Sequence, residues 1–139
     1  MIYVLDTDHA SLYQRGDAQV GERLRHLIPN EVAITIVSYE EQIAGRLAVA
    51  RRAQTVDERV IAYRWLQLTL DFYCRMPVLP FNNSAGSILD QLQAMKLRIG
   101  TKDLLIGAIA LAHSTTLLTR NFRDFQQIPG LAIEDWTLP

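Results

Sequence analysis

The apolar positions of this chain change period as it runs, and each change marks an element. Ile2-Tyr3-Val4-Leu5 is a short unbroken apolar run that stops at Asp6. Without polar alternation it reads as a strand buried on both faces, the habit of a parallel sheet. Thr7 or Asp8 then caps a short helix to about Tyr13, closed by Arg15-Gly16-Asp17. Ala18 to Leu27 reads as a second helix with Val20, Leu24 and Leu27 on one face. Pro29-Asn30 is a turn, and the β-branched run Val32 to Val37 is a second strand. Ser38 and Glu41 have the spacing of a capping box, which opens a helix carrying Ile43, Leu47 and Ala50 on one side. The helical period pauses at Thr55-Val56-Asp57. It resumes through Val60, Tyr63, Trp65, Leu66 and Leu70 to Met76-Pro77, as a helical pair or one bent helix.

Val78 to Phe81 is a third strand, and Asn82 or Asn83 caps a helix to Leu97. Ile99-Gly100-Thr101 is a break, and Thr101 caps the helix Lys102 to His113, in which Gly107 and Ala108 permit close packing. Thr116 to Thr119 is a fourth strand, Asn121 to Phe125 a short helix or turn, and Leu131 to Ile133 a last strand after Pro129-Gly130. Strands that alternate with helices predict an α/β fold: a central, mostly parallel sheet of four to five short strands flanked by helices.

Composition narrows this picture only a little. The 139 residues suit one domain spanning 1–139. With 14 basic and 15 acidic residues the net charge is −1, so nucleic-acid binding would need a local basic patch. The single cysteine, Cys74, forms no internal disulfide and reads as a small buried apolar residue. The apolar start lacks a basic leader, and the longest apolar stretch, Leu104 to Ala112, is too short for a bilayer. A cytoplasmic protein without membrane contact is the expectation.

Acidic residues stand at the element boundaries. Asp6 ends the first strand, Glu41 lies in the first turn of the helix after the second, Asp103 in the first turn after Gly100, and Asp124 shortly after the fourth strand. In a parallel sheet these positions share one edge, the edge where ligands bind. Converging carboxylates repel, and a hard divalent cation relieves them. Singly, each has a plainer reading: Glu41 completes a capping box, Asp103 favours a helix dipole, and Asp124 is a solvated turn acid.

The motifs carrying these acids resemble those of the PIN-domain ribonucleases, and among them the VapC-type toxins of toxin–antitoxin systems. The similarity lies in Val4-Leu5-Asp6-Thr7-Asp8, in Ile34 to Gly45 with Glu41 three residues after Ser38 and four before Gly45, in Ile99 to Ala108 around Asp103, and in Leu118 to Phe125 with Pro129-Gly130-Leu131 and Glu134-Asp135-Trp136. Many relatives have Asp where this chain has Asn121; others use the position of Asp124. Asp8 stands where many carry Asn. The resemblance implies a PIN-like domain and an endoribonuclease dependent on Mg²⁺ or Mn²⁺, with Asp6 and Asp103 holding the metal. Glu41 and Asp124 would complete the acidic cluster and orient or deprotonate the attacking water. Asp8, Ser38, Thr119 and Asn121 would support this set from outside. It also implies an RNA substrate, a VapB-like antitoxin partner and a homodimer.

RNA demands positive charge near the cleft. Arg46, Arg51 and Arg52, with Arg59 and Arg64, follow Glu41; Lys96, Arg98 and Lys102 bracket Asp103; Arg120 and Arg123 flank the last motif. Taken singly, each of these reads first as a solvated helix residue. Tyr63 and Trp65 read as core, and His9, His26 and His113 lack metal-ligand spacing, His9 being placed at the surface. Two rivals stand beside the nuclease. Asp6-x-Asp8 also opens haloacid-dehalogenase phosphatases, although His9-Ala10 departs from their pattern and Glu41 would have no role. The other rival is a PIN-fold binding module without catalysis.

Overall fold

The computed structural model describes residues 2–27 and 29–139. Five parallel strands form one sheet in the order β3-β2-β1-β4-β5. They are β1 (Tyr3–Leu5), β2 (Val32–Thr35), β3 (Val78–Leu79), β4 (Thr116–Leu118) and β5 (Ala132–Glu134). β1 lies at the centre, with Leu5 opposite both Ile34 of β2 and Leu118 of β4. The chain winds outward from β1 to one side through β2 and β3, then crosses back to lay β4 and β5 on the other. The direction of winding therefore reverses between β1 and β4, and a crevice opens at the carboxyl ends of those two strands.

Period-two alternation sends neighbouring strand residues to opposite faces. Val4, Ala33 and Leu117 enter one core with Leu92, Leu104, Ile109, Phe125 and Ile128. Leu5, Ile34 and Leu118 enter the other with Ala10, Val20, Leu24, Phe72 and Trp136. α5 (Asn83–Ala94) and α6 (Thr101–Ala112) cover the first face. α1 (Thr7–Gln14), α2 (Ala18–Arg25) and α4 (Val56–Arg75) cover the second, and α3 (Ile36–Arg52) packs along α4. α7 (Phe122–Phe125) is a single turn after β4.

Element boundaries moved where a side chain supplied a cap that spacing did not announce. β2 ends at Thr35, whose hydroxyl accepts the Ser38 N–H at 3.1 Å, so α3 begins at Ile36 and Ser38 is not its cap. Glu41 therefore lies in the second turn. Asp6, rather than Thr7 or Asp8, caps α1, its Oδ1 accepting the His9 N–H at 2.7 Å. Gly100 precedes α6 without a side-chain cap, and Thr101 is already helical. β3 stops at Leu79 because Pro80 has no N–H for the ladder. α5 ends at Ala94, where Lys96 turns the chain with φ of 53°. β5 lies one residue later than its apolar pattern indicates.

Candidate active site

Asp6, Thr7, Asp8, Ser11, Glu41, Asp103, Asn121 and Phe125 line an open cleft at the winding reversal. Each acid arrives from a different element. Asp6 leaves β1 with its backbone N–H bound to Leu118 O at 3.0 Å, so the sheet ladder continues through it. That bond fixes the carboxylate against the end of β4. Asp103 sits in the first turn of α6. Asp124 occupies α7 beside Asn121, whose Nδ2 donates to its Oδ2 at 2.9 Å. Asn121 also caps α7, and its own N–H is accepted by the Thr119 hydroxyl at 2.9 Å.

A row of hydroxyls leads to Glu41. Thr35 Oγ1 donates to Ser38 Oγ at 3.5 Å, Ser38 Oγ lies 2.9 Å from Thr7 Oγ1, and Thr7 Oγ1 donates to Glu41 Oε1 at 2.7 Å. Thr35 and Ser38 are fully buried, so their hydroxyls have no water to turn to. Because Thr7 gives its proton to Glu41, it must accept from Ser38, and every donor in the row points the same way. Thr7 was legible in the Asp-Thr-Asp motif only as a cap; its partner lies 34 residues away.

The electrostatic signature falls on Asp103. Burial, reinforced by the charges of Glu41, Asp6 and Asp124, raises its carboxyl from the usual 3.8 to about 6. Asp103 thus lies within electrostatic reach of Glu41, Asp6 and Asp124, while the ligand atoms within 4.8 Å of one another belong to Asp6, Asp8 and His9. The donor set of the acids is all oxygen and negative, which fits a hard divalent cation. At the rim Arg120 makes a bidentate pair with Asp8, at 2.7 and 2.8 Å. Lys102 is paired with Glu40 at 2.5 Å. Arg46 donates to Thr69 at 3.1 Å and lies over the Trp65 ring. Arg51 and Arg52 are exposed at the end of α3.

Several side chains depart from their expected places. His9 is fully buried, its Nε2 accepting the Trp136 N–H. Asp6, Asp8 and His9 offer ligand atoms within 4.8 Å of one another, a grouping the spacing of histidines did not suggest. Tyr63 and Trp65 are exposed, since α4 turns those positions away from the sheet. Cys74 is exposed for the same reason, beside the buried Phe72 and Tyr73. Among the described residues no helix is long and apolar enough to cross a membrane.

No protein-family model matches the chain. It is 29% identical to Ribonuclease VapC1 of Haemophilus influenzae strain R2866, over 99% of each chain. It is 34% identical to the tRNA(fMet)-specific endonuclease VapC of Salmonella typhimurium, over 52% of this chain and 58% of that one. Among solved structures it is similar to DNA-bound VapBC from Salmonella typhimurium, with a TM-score of 0.78 and 25% identity, covering 98% of both chains.

Proposed function

We infer that this VapC-type PIN-domain chain is the RNA-cleaving toxin of a VapBC-like pair, a hydrolase that breaks phosphodiesters with a divalent metal ion. The observation that carries the reading is the meeting of Asp6, Glu41 and Asp103 in one open cleft, with Asp124 acting on Asp103 from α7, on a chain similar to VapC ribonucleases from end to end.

Asp6 and Asp103 are the residues that would hold Mg²⁺ or Mn²⁺. When bound, the ion supplies positive charge that eases ionisation of water and offsets charge growing on a phosphoryl oxygen. The chain does the remaining work. Thr7 occupies Glu41 Oε1, which leaves Oε2 free to orient the attacking water and take its proton. Asn121 and the α7 turn hold Asp124 in place to complete the negative charge around the site. Attack of water in this arrangement leaves a 5′-phosphate and a 3′-hydroxyl.

Arg51, Arg52, Lys102, Arg120 and, on the α3–α4 pair, Arg46 are the proposed phosphate contacts. Arg120 and Lys102 stand at the cleft but are each paired with an acid, so RNA phosphates would compete with Asp8 and Glu40 for them. A VapB-like antitoxin is supported by the similarity to VapBC complexes. A homodimer is supported by exposed apolar side chains along α4, including Val56, Val60, Ile61 and Tyr63. Light scattering on a gel-filtration column should return twice the chain mass, and a monomer at micromolar concentration would remove the dimer.

The decisive comparison is cleavage of structured RNA, with and without Mg²⁺, by the wild type and Asp6→Asn. The wild type should cut only with the ion, and the variant should be slower by about 100-fold or more, the range for loss of an essential charged group. Equal rates for the two proteins would reject the mechanism. The phosphatase reading leaves Glu41 and its hydroxyl row without a task, and a binding module would leave the clustered acids without one.

A further inference from the structure

Among the described residues, one buried side-chain polar atom lacks a hydrogen-bond partner: Nδ1 of His9. Its other ring nitrogen, Nε2, accepts the backbone N–H of Trp136 at 3.2 Å. A nitrogen that receives an N–H must present a lone pair, so the ring proton is on Nδ1. The carboxylate beside Nδ1 is that of Asp6, although the two make no hydrogen bond in this geometry. Nδ1 lies 3.4 Å from Asp6 Oδ1, the oxygen that takes the His9 backbone N–H at 2.7 Å.

We propose that His9 is a positioning residue, whose Nδ1–H holds the Asp6 carboxylate in its working orientation while the Trp136 backbone fixes the tautomer that makes this possible. The proposal rests on the nuclease reading, in which Asp6 is a metal ligand. His9 itself is no ligand, although its atoms fall within ligand distance of Asp6 and Asp8. One nitrogen has given its lone pair to Trp136 and the other carries the proton, so neither has an electron pair for a cation. Oδ1 already carries the His9 backbone N–H, so Oδ2 is the oxygen of Asp6 available to a cation. Groups one step back from a metal commonly orient its ligands in this way.

The C-terminal segment is built to keep the donor in register. Trp136 is buried, and its ring lies against Tyr3 of β1, tilted by 57° with centroids 4.7 Å apart. Its indole N–H is donated to Glu134 Oε1 at 3.3 Å. Asp135 Oδ1 lies 3.8 Å from His9 Nε2 and would draw the proton to that side. The Thr137 N–H and hydroxyl, both bonded to the same oxygen, hold it off at 2.8 and 2.5 Å.

Two substitutions divide the ring's two jobs. His9→Gln keeps an acceptor near the Nε2 position and loses the donor toward Asp6. His9→Asn keeps a donor near the Nδ1 position and loses the acceptor for Trp136. The full chain of each is titrated with MnCl2 by calorimetry, and each metal-free protein is melted. His9→Gln should bind Mn²⁺ about 10–100-fold more weakly with a nearly unchanged melting temperature. His9→Asn should melt earlier yet retain most of its affinity. Equal Mn²⁺ affinity in the wild type and His9→Gln overturns the proposal and leaves the nuclease standing. No Mn²⁺ binding by the wild type removes both. Nitrogen NMR of the wild-type imidazole reads the tautomer without any variant: a proton on Nδ1 supports the proposal, and a proton on Nε2 overturns it.

Discussion

Asp103 is the residue on which the cost of assembling this site is concentrated. Its carboxyl is raised to about 6 by burial and by Glu41, Asp6 and Asp124. An acid whose folded pKa exceeds its unfolded value binds more protons folded than unfolded, so its contribution to stability falls as pH rises. The window is set by the usual value near 3.8 and the shifted value near 6. In chelator-treated protein, Asp103→Asn should therefore melt at a higher temperature than the wild type at pH 7. That advantage should shrink as pH falls toward 4, where the wild-type acid is protonated. Added Mg²⁺ should raise the wild-type melting temperature at pH 7 and leave the variant unmoved. A pH-independent gap between the two proteins would show that Asp103 is not the strained member of the cluster.

The helices were legible from their apolar period, and the exchanges at their ends were not. The Ser38-Glu41 spacing matched a capping box, yet Thr35 does the capping. A β-branched residue with a hydroxyl serves equally as the last strand residue and the first cap, and spacing does not separate the two. Gly107 was legible as a site of close packing, and the structure gives the neighbour: a Cβ there would meet Ile128 Cδ1 at 2.5 Å. Ile128 is buried between α6 and the loop after α7, so its methyl has little room to retreat. Gly107→Ala gains about 0.5–1 kcal/mol of helix propensity and incurs about 1–3 kcal/mol of overpacking. The clash wins, and denaturant melts should show a net loss of about 1 kcal/mol. Ile128→Val in the same chain removes the offending methyl and should recover part of that loss; no recovery would place the strain elsewhere.

At the scale of the molecule, the α/β order and the convergence of Asp6, Glu41 and Asp103 were readable because β1 and β2 are each followed by an acid and Asp103 opens α6 after a glycine break. What escaped reading is what distant parts of the chain do to one another. His9 is buried because Trp136, 127 residues away, closes over it. Tyr63, Trp65 and Cys74 are exposed because α4 is covered on one side only, and an apolar period does not reveal how much partner surface a helix receives. The two cores share the same strands, with Val4 facing one and Leu5 the other. We therefore propose that residues 1–139 act as one domain. Far-ultraviolet circular dichroism and tryptophan fluorescence should give coincident denaturant transitions, and separated midpoints would divide the chain into independent units.

Asp6, Asp8, Glu41 and Asp103 line the cleft, Asp124 acts on it from α7, and the turn that closes over His9 comes later still, at Trp136. A fragment that stops before Trp136 lacks part of this constellation. The chemistry of the cleft is thus carried by no contiguous stretch and exists only where the two sides of the winding meet.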